Sequence, residues 1–82
     1  MRSAAGDVAL TLLAARAAGA TICPSEVARA IAGSERDWRD AMPAVHAAVD
    51  TLVAAGAVRL SWKGRRMPVR AGPYRIGRAA DA

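Results

Sequence analysis

Six basic side chains fall between residues 59 and 75: Arg59, Lys63, Arg65, Arg66, Arg70 and Arg75. Three of them flank Gly64, a residue type that favours a tight turn. A guanidinium offers a planar fork of N–H donors that matches a phosphate group, and an ammonium adds a point charge. Grouped on a hairpin, such residues can neutralise backbone phosphates and release counterions, or enter a narrow minor groove. Arg39, with Arg36 nearby, can touch the same backbone from an earlier element. These seven residues, Arg39 and the six of the cluster, are the candidate nucleic-acid contacts. The cluster also suits a solvated hairpin whose edge charges prevent strand-to-strand aggregation.

Other chemistry finds little support. Cys23 sits before Pro24, where a helix N-terminus can lower a thiol pKa, but no second cysteine exists to resolve an oxidised form. His46 is the sole histidine and has no Cys or His partner at metal-ligand spacing. No serine lies in a nucleophile motif, and no Gly-rich phosphate loop occurs. Glu26, Asp37 and Asp40 read as helix caps and helix-start charges. The expectation is a non-enzymatic protein without catalytic residues, metal or cofactor. Trp38 and Trp62 can stack on bases. In a chain with 4% aromatic residues they read better as core anchors, and Tyr74 as a packing residue with a polar tip.

Charge is distributed unevenly. The net charge is +5. Residues 57–82 carry seven Arg and Lys side chains against Asp81 alone, a net +6. Residues 1–56 carry five against six acids, a net −1. Such asymmetry implies a polyanionic partner, duplex DNA or another nucleic acid. An arginine-rich solvated surface is the plainer alternative.

The elements that must position these residues follow from patterning. The 82 residues make one domain, 1–82, and the alanine-dominated apolar fraction favours helices. Ser3 caps a first helix near 4–18, with Val8 and Leu12 in its stripe and Gly19 as its stop. Ala20–Ile22 is a short extended piece. Cys23 as N-cap, Pro24 at the first helical position and Glu26 at the third start a helix at 24–32, with Ile22 and Val27 as a hydrophobic staple. A third helical segment covers 38–55. Pro43 splits it into a short turn at Trp38–Met42 and a main helix to Ala55, ended by Gly56. The period then changes from 3.6 to 2: Val58, Leu60 and Trp62 alternate with Arg59, Ser61 and Lys63. Lys63-Gly64 turns into a second strand at Arg65–Arg70, limited to an edge by Pro68, and Tyr74–Gly77 adds a last short strand. The wing therefore runs over about 57–77. The expected core is Val8, Leu12, Ile22, Val27, Ile31, Trp38, Val45, Val49, Leu52, Val58, Leu60 and Trp62. The fold class is mostly α with a small β-hairpin (α+β), in the order of a winged helix-turn-helix.

Four stretches resemble a small bacterial family known as domain of unknown function 3253. They are Ile22-Cys23-Pro24-Ser25-Glu26-Val27-Ala28-Arg29, Trp38-Arg39 with Met42-Pro43-Ala44-Val45, Lys63-Gly64, and Gly72-Pro73-Tyr74-Arg75. The similarity covers roughly residues 5–78. It implies a winged-helix fold and no particular activity.

Two functions remain open at this point. The basic hairpin favours backbone-dominated nucleic-acid binding that depends little on sequence and is associated with transcription. The exposed face of the third helix, His46, Ala47, Asp50 and Thr51, offers no Arg, Lys, Asn or Gln for base reading. That favours a protein-interaction module or homodimer built on the alanine-rich first and third helices. No apolar run approaches the ~20 residues that span a bilayer, and Asp7 and Arg16 interrupt Ala4–Ala20. That stretch also lacks a signal peptide's charged start and cleavage site. With one cysteine there is no internal disulfide, so the expected location is the bacterial cytoplasm, without membrane contact.

Overall fold

In the computed structural model, residues 3–79 are described. Three helices pack on one face of a four-stranded antiparallel sheet, an α+β arrangement. Helix α1 covers Ala4–Ala14, strand β1 Thr21–Ile22 and helix α2 Pro24–Ala32. A 3-10 turn at Trp38–Ala41 leads into α3, Met42–Ala54. Strands β2 (Val58–Trp62), β3 (Arg65–Met67) and β4 (Arg75–Arg78) follow.

Local signals explain the helix starts. The Ser3 side chain accepts from the Gly6 N–H at 3.0 Å. Glu26 Oε2 accepts from the Cys23 N–H at 2.8 Å, satisfying a backbone donor just before α2. Asp37 Oδ1 accepts from the Arg39 N–H at 3.0 Å and starts the 3-10 turn. Ile22 and Val27, the expected staple pair, are both fully buried in the same core.

The sheet order is β1-β4-β2-β3. The last strand thus lies inside the sheet, between the first strand and the hairpin, where the sequence reading had it as an addition at the end. Its register aligns Ile22, Ile76 and Leu60 in one rung on the inner face. Each of the three is at most 1% exposed. Val27, Val45 and Val49 from α2 and α3 complete the most deeply buried set. Lys63 (φ 51°) and Gly64 (φ 79°) both have positive φ. That is the two-residue turn whose twist matches the flanking strands, and Gly64 adopts it without steric cost.

Several boundaries and burials differ from expectation. Helix α1 ends at Ala14, not near residue 18, and Gly19 is not its stop. The last turn tightens, with Arg16 N–H bonding Leu13 O at 3.1 Å. The Arg78 guanidinium then takes Leu13 O at 2.7 Å and Arg16 O at 2.9 Å, satisfying carbonyls that a helix end leaves orphaned. The buried stripe of α1 is Ala5, Gly6, Ala9 and Leu13, so Val8 and Leu12 are only half-buried. Small residues let α1 approach its neighbours closely, and its larger side chains flank the contact. Ile31 and Trp38 are also half-buried. The second hairpin strand stops at Met67, because Pro68 has no N–H to donate. The final strand is Arg75–Arg78 and not Tyr74–Gly77.

Trp62 is the clearest correction: it is 40% exposed. It continues the inward alternation of Val58 and Leu60, but it sits next to the hairpin turn, at the end of the strand. Tyr74, expected as a packing residue, is buried at 3%, and Ile76, absent from the expected core, at 0%.

Truncating Ile76 to Ala is expected to cost about 2–5 kcal/mol, because a β-branched residue would be lost from a filled site. Truncating Trp62 to Ala should cost much less. Chemical denaturation of the two variants checks this ordering.

Candidate nucleic-acid interface

The sheet sorts the basic residues by face. In antiparallel pairs, directly opposed residues point the same way. Outward-facing β2 positions Arg59 and Ser61 oppose Gly77 and Arg75 of β4, and Ser61 also opposes Arg66 of β3. Thr21 of β1 opposes Gly77. Arg59, Arg66 and Arg75 therefore share the outer face, away from the helices. Lys63 sits in the turn and Arg65, opposite Trp62, beside it.

Not all of these cations are unengaged. Arg75 Nε donates to Thr21 Oγ1 at 2.7 Å and its Nη2 to Thr21 O at 3.0 Å, tying β4 to the edge strand. Arg70 makes a two-point contact with Asp50 of α3, Nε to Oδ1 at 2.9 Å and Nη2 to Oδ2 at 3.0 Å. That hydrogen bond holds the Asp50 carboxyl below its ordinary range and raises Arg70 above its own. The pairing also neutralises the one acid on the outer side of α3. Arg39 lies apart from the sheet on the 3-10 turn. It contacts Asp37 at 3.3 Å, and its guanidinium sits 4.6 Å from the Trp38 ring centre. The Arg29 guanidinium is 4.9 Å from the same ring, so Trp38 carries two cation–π contacts. Arg59, Lys63, Arg65 and Arg66 make no side-chain hydrogen bond or ion pair among the described residues.

A second polar group links α3 to the segment between β3 and β4. His46 is half-buried, not a plain member of an exposed recognition face, and its Nδ1 lies 2.7 Å from Tyr74 Oη. Burial pushes the Tyr74 hydroxyl up to about 12. Burial also lowers the His46 pKa; Arg70 adds to the shift and Asp50 opposes it. Arg70 and Tyr74 thus hold residues 70–74 against α3. The exposed positions left on that helix are Pro43, Ala44, Ala47, Thr51 and Ala54; none carries a cation or an amide, and the Thr51 hydroxyl donates to Ala47 O at 3.2 Å.

A family model described as "Protein of unknown function (DUF3253)" matches residues 2–79. The chain belongs to this family. No curated protein matches it in sequence. The family stretches quoted above fall on structural joints of this DUF3253 chain: the start of α2, the 3-10 turn and start of α3, the hairpin turn, and Tyr74–Arg75. In each, at least one residue makes a specific contact or turn.

Sequence reasoning missed Arg78 as the tie to α1 and the pairing of Arg70 with Asp50. Nothing local in the sequence marks either, because the partners lie 65 and 20 residues away. The outer-face set was accessible in principle: the period-2 alternation of β2 already put Arg59 and Ser61 opposite Val58 and Leu60.

The lowered His46 pKa fixes the sign of a pH effect. The unfolded chain takes up a proton near the ordinary value of 6.5 while the folded chain resists it. The stabilisation from neutral His46 is complete above about pH 7 and is lost as the pH falls below 6.5. The urea midpoint should drop between pH 7 and pH 5. A His46→Gln variant, which cannot titrate, should show a flatter profile over that range.

Proposed function

We propose that this chain is a winged helix-turn-helix domain of the bacterial cytoplasm that binds duplex nucleic acid through its basic hairpin, without enzymatic activity. The reading is supported by the element order, three helices followed by a basic hairpin, and by the charge partition. The observation that carries it is the set of four cations around one turn, Arg59, Lys63, Arg65 and Arg66, with no carboxylate paired to them among the described residues. Ion-paired Arg70, and Arg75 bonded to Thr21, are secondary. Arg39 can supply a contact from the turn before α3. Binding is backbone-dominated, because α3 exposes no cation or amide side chain. Its dependence on DNA sequence is correspondingly weak.

A second reading rests on a different surface. A groove of about 520 Å3 runs between α1 and α3, lined by Ser3, Gly6, Ala44, Ala47, Ala48, Thr51 and Leu52. Its small, uncharged lining favours a protein contact, either a partner or a second copy of the chain. Among the described residues no helix is long and apolar enough to cross a membrane.

Four neutralised phosphates, at about −0.9 each, give a slope of log affinity against log salt of roughly −3 to −4. Replacing Lys63 and Arg65 by Ala should shrink that slope by up to about 2 while the fold survives, since exposed tip charges add little stability. Fluorescence anisotropy with random duplex DNA at several salt concentrations measures both. An unchanged slope in the double variant would show that the hairpin tip is not the contact surface. Absence of binding by the parent at low salt, together with a dimer in sedimentation, would favour the groove between α1 and α3.

A further inference from the structure

The outer face of the sheet holds a cleft of about 420 Å3 that reaches from the Ala18–Ala20 loop to Gly64 at the hairpin turn. Its floor is the Gly77 position, and its sides include Thr21, Arg59, Ser61, Arg66 and the Ala18–Ala20 loop. We propose that this cleft is a binding site for a phosphate monoester or polyphosphate group, held between Arg59 and Arg66 over Gly77. The inference goes beyond duplex binding: it shares Arg59 and Arg66 with that reading but needs neither Lys63 nor Arg65.

Three observations carry it. First, the cleft is one-signed. Arg59 and Arg66 are diagonal neighbours across the β2–β3 pair, roughly 7–8 Å apart at the backbone, and Arg75 is diagonal to Arg59 on the other side. Like charges at such spacing lie within a Debye length of one another and repel, and no carboxylate lines the cleft to offset them. A bound dianion relieves that repulsion. Second, the floor is open. Gly77 stands opposite both Arg59 and Thr21, and a Cβ there would lie 3.3 Å from Thr21 Cγ2. A side chain at 77 would crowd that wall and occupy the space over the floor. Third, the walls offer donors. Arg75 fixes the Thr21 side chain through its 2.7 Å bond, and Ser61 projects between Arg66 and Arg75. Tetrahedral phosphate oxygens can accept from two guanidiniums on different sides at once, whereas a planar carboxylate accepts within one plane. No aromatic ring lines the cleft to stack a base, so recognition is of the phosphate end of a ligand.

Calorimetric titration of the full chain with inorganic pyrophosphate, at ionic strength matched with sodium chloride, tests the proposal. The parent should bind and its melting temperature should rise. Arg59→Gln and Arg66→Gln should each weaken binding at least tenfold. The Lys63→Gln/Arg65→Gln double variant, with a larger loss of charge at the tip, should stay within twofold of the parent. Without ligand, both single variants should melt at or above the parent, since they relieve repulsion; lower melting would show structural props and overturn the argument. Equal weakening in the tip variant would overturn it as a general charge effect. So would a parent that chloride alone stabilises equally. Duplex titrations of the same proteins separate the two readings. Tip variants that lose DNA but keep pyrophosphate support the cleft. Sheet variants that weaken DNA while the parent ignores pyrophosphate would restrict the cleft to backbone diesters and sink the proposal.

Discussion

The rung Ile22–Ile76–Leu60 joins a strand that precedes α2, a strand that follows α3, and the final strand between them. All three side chains are excluded from water and face the valines of α2 and α3. In a chain without phenylalanine, whose helices contribute mostly alanine, these branched residues supply much of the large apolar volume in the core. The three helices have no other sheet to cover. Remove β4 and β1 has no partner, β2 loses its inner neighbour, and Arg78 no longer reaches the end of α1.

Where the physics is local, the sequence was readable. Helix α2 has the expected bounds because Cys23, Pro24 and Glu26 each solve a backbone problem within a few residues. The split of the third helical segment follows from Pro43 in the same way, and the hairpin turn follows from Lys63-Gly64. Helix α1 was harder. Alanine fits either side of a helix, so the choice between Val8–Leu12 and Ala5–Ala9–Leu13 as the buried stripe depended on how closely α2 and α3 approach. The β4 position was illegible for a related reason: Ile76 pairs with Ile22 and Leu60 across long loops, and no local pattern distinguishes a central strand of four residues from an edge one.

The candidate interface shows the same division. That residues 59–66 form a basic hairpin was plain from composition and period. That Arg70 would be paired off and Arg75 turned to Thr21 was not, because each depends on a group far along the chain. The outcome narrows six cations to four, and it separates a tip from a sheet face. It also changes the reading of α3. Asp50, which would repel a phosphate in isolation, is neutralised by Arg70, and His46 is occupied with Tyr74. What α3 presents to a partner is a row of small, uncharged groups.

The central place of β4 bears on how the chain is made. Synthesis delivers β1, the helices and the β2–β3 hairpin first, and the strand that belongs between them last. Until it arrives, β1 and β2 each present an unpaired edge, and the valines beneath lie partly open. The nascent chain therefore cannot bank its stability domain-fashion as it grows. Arg59, on the β2 edge that β4 comes to cover, keeps a charge on that edge until the two strands pair.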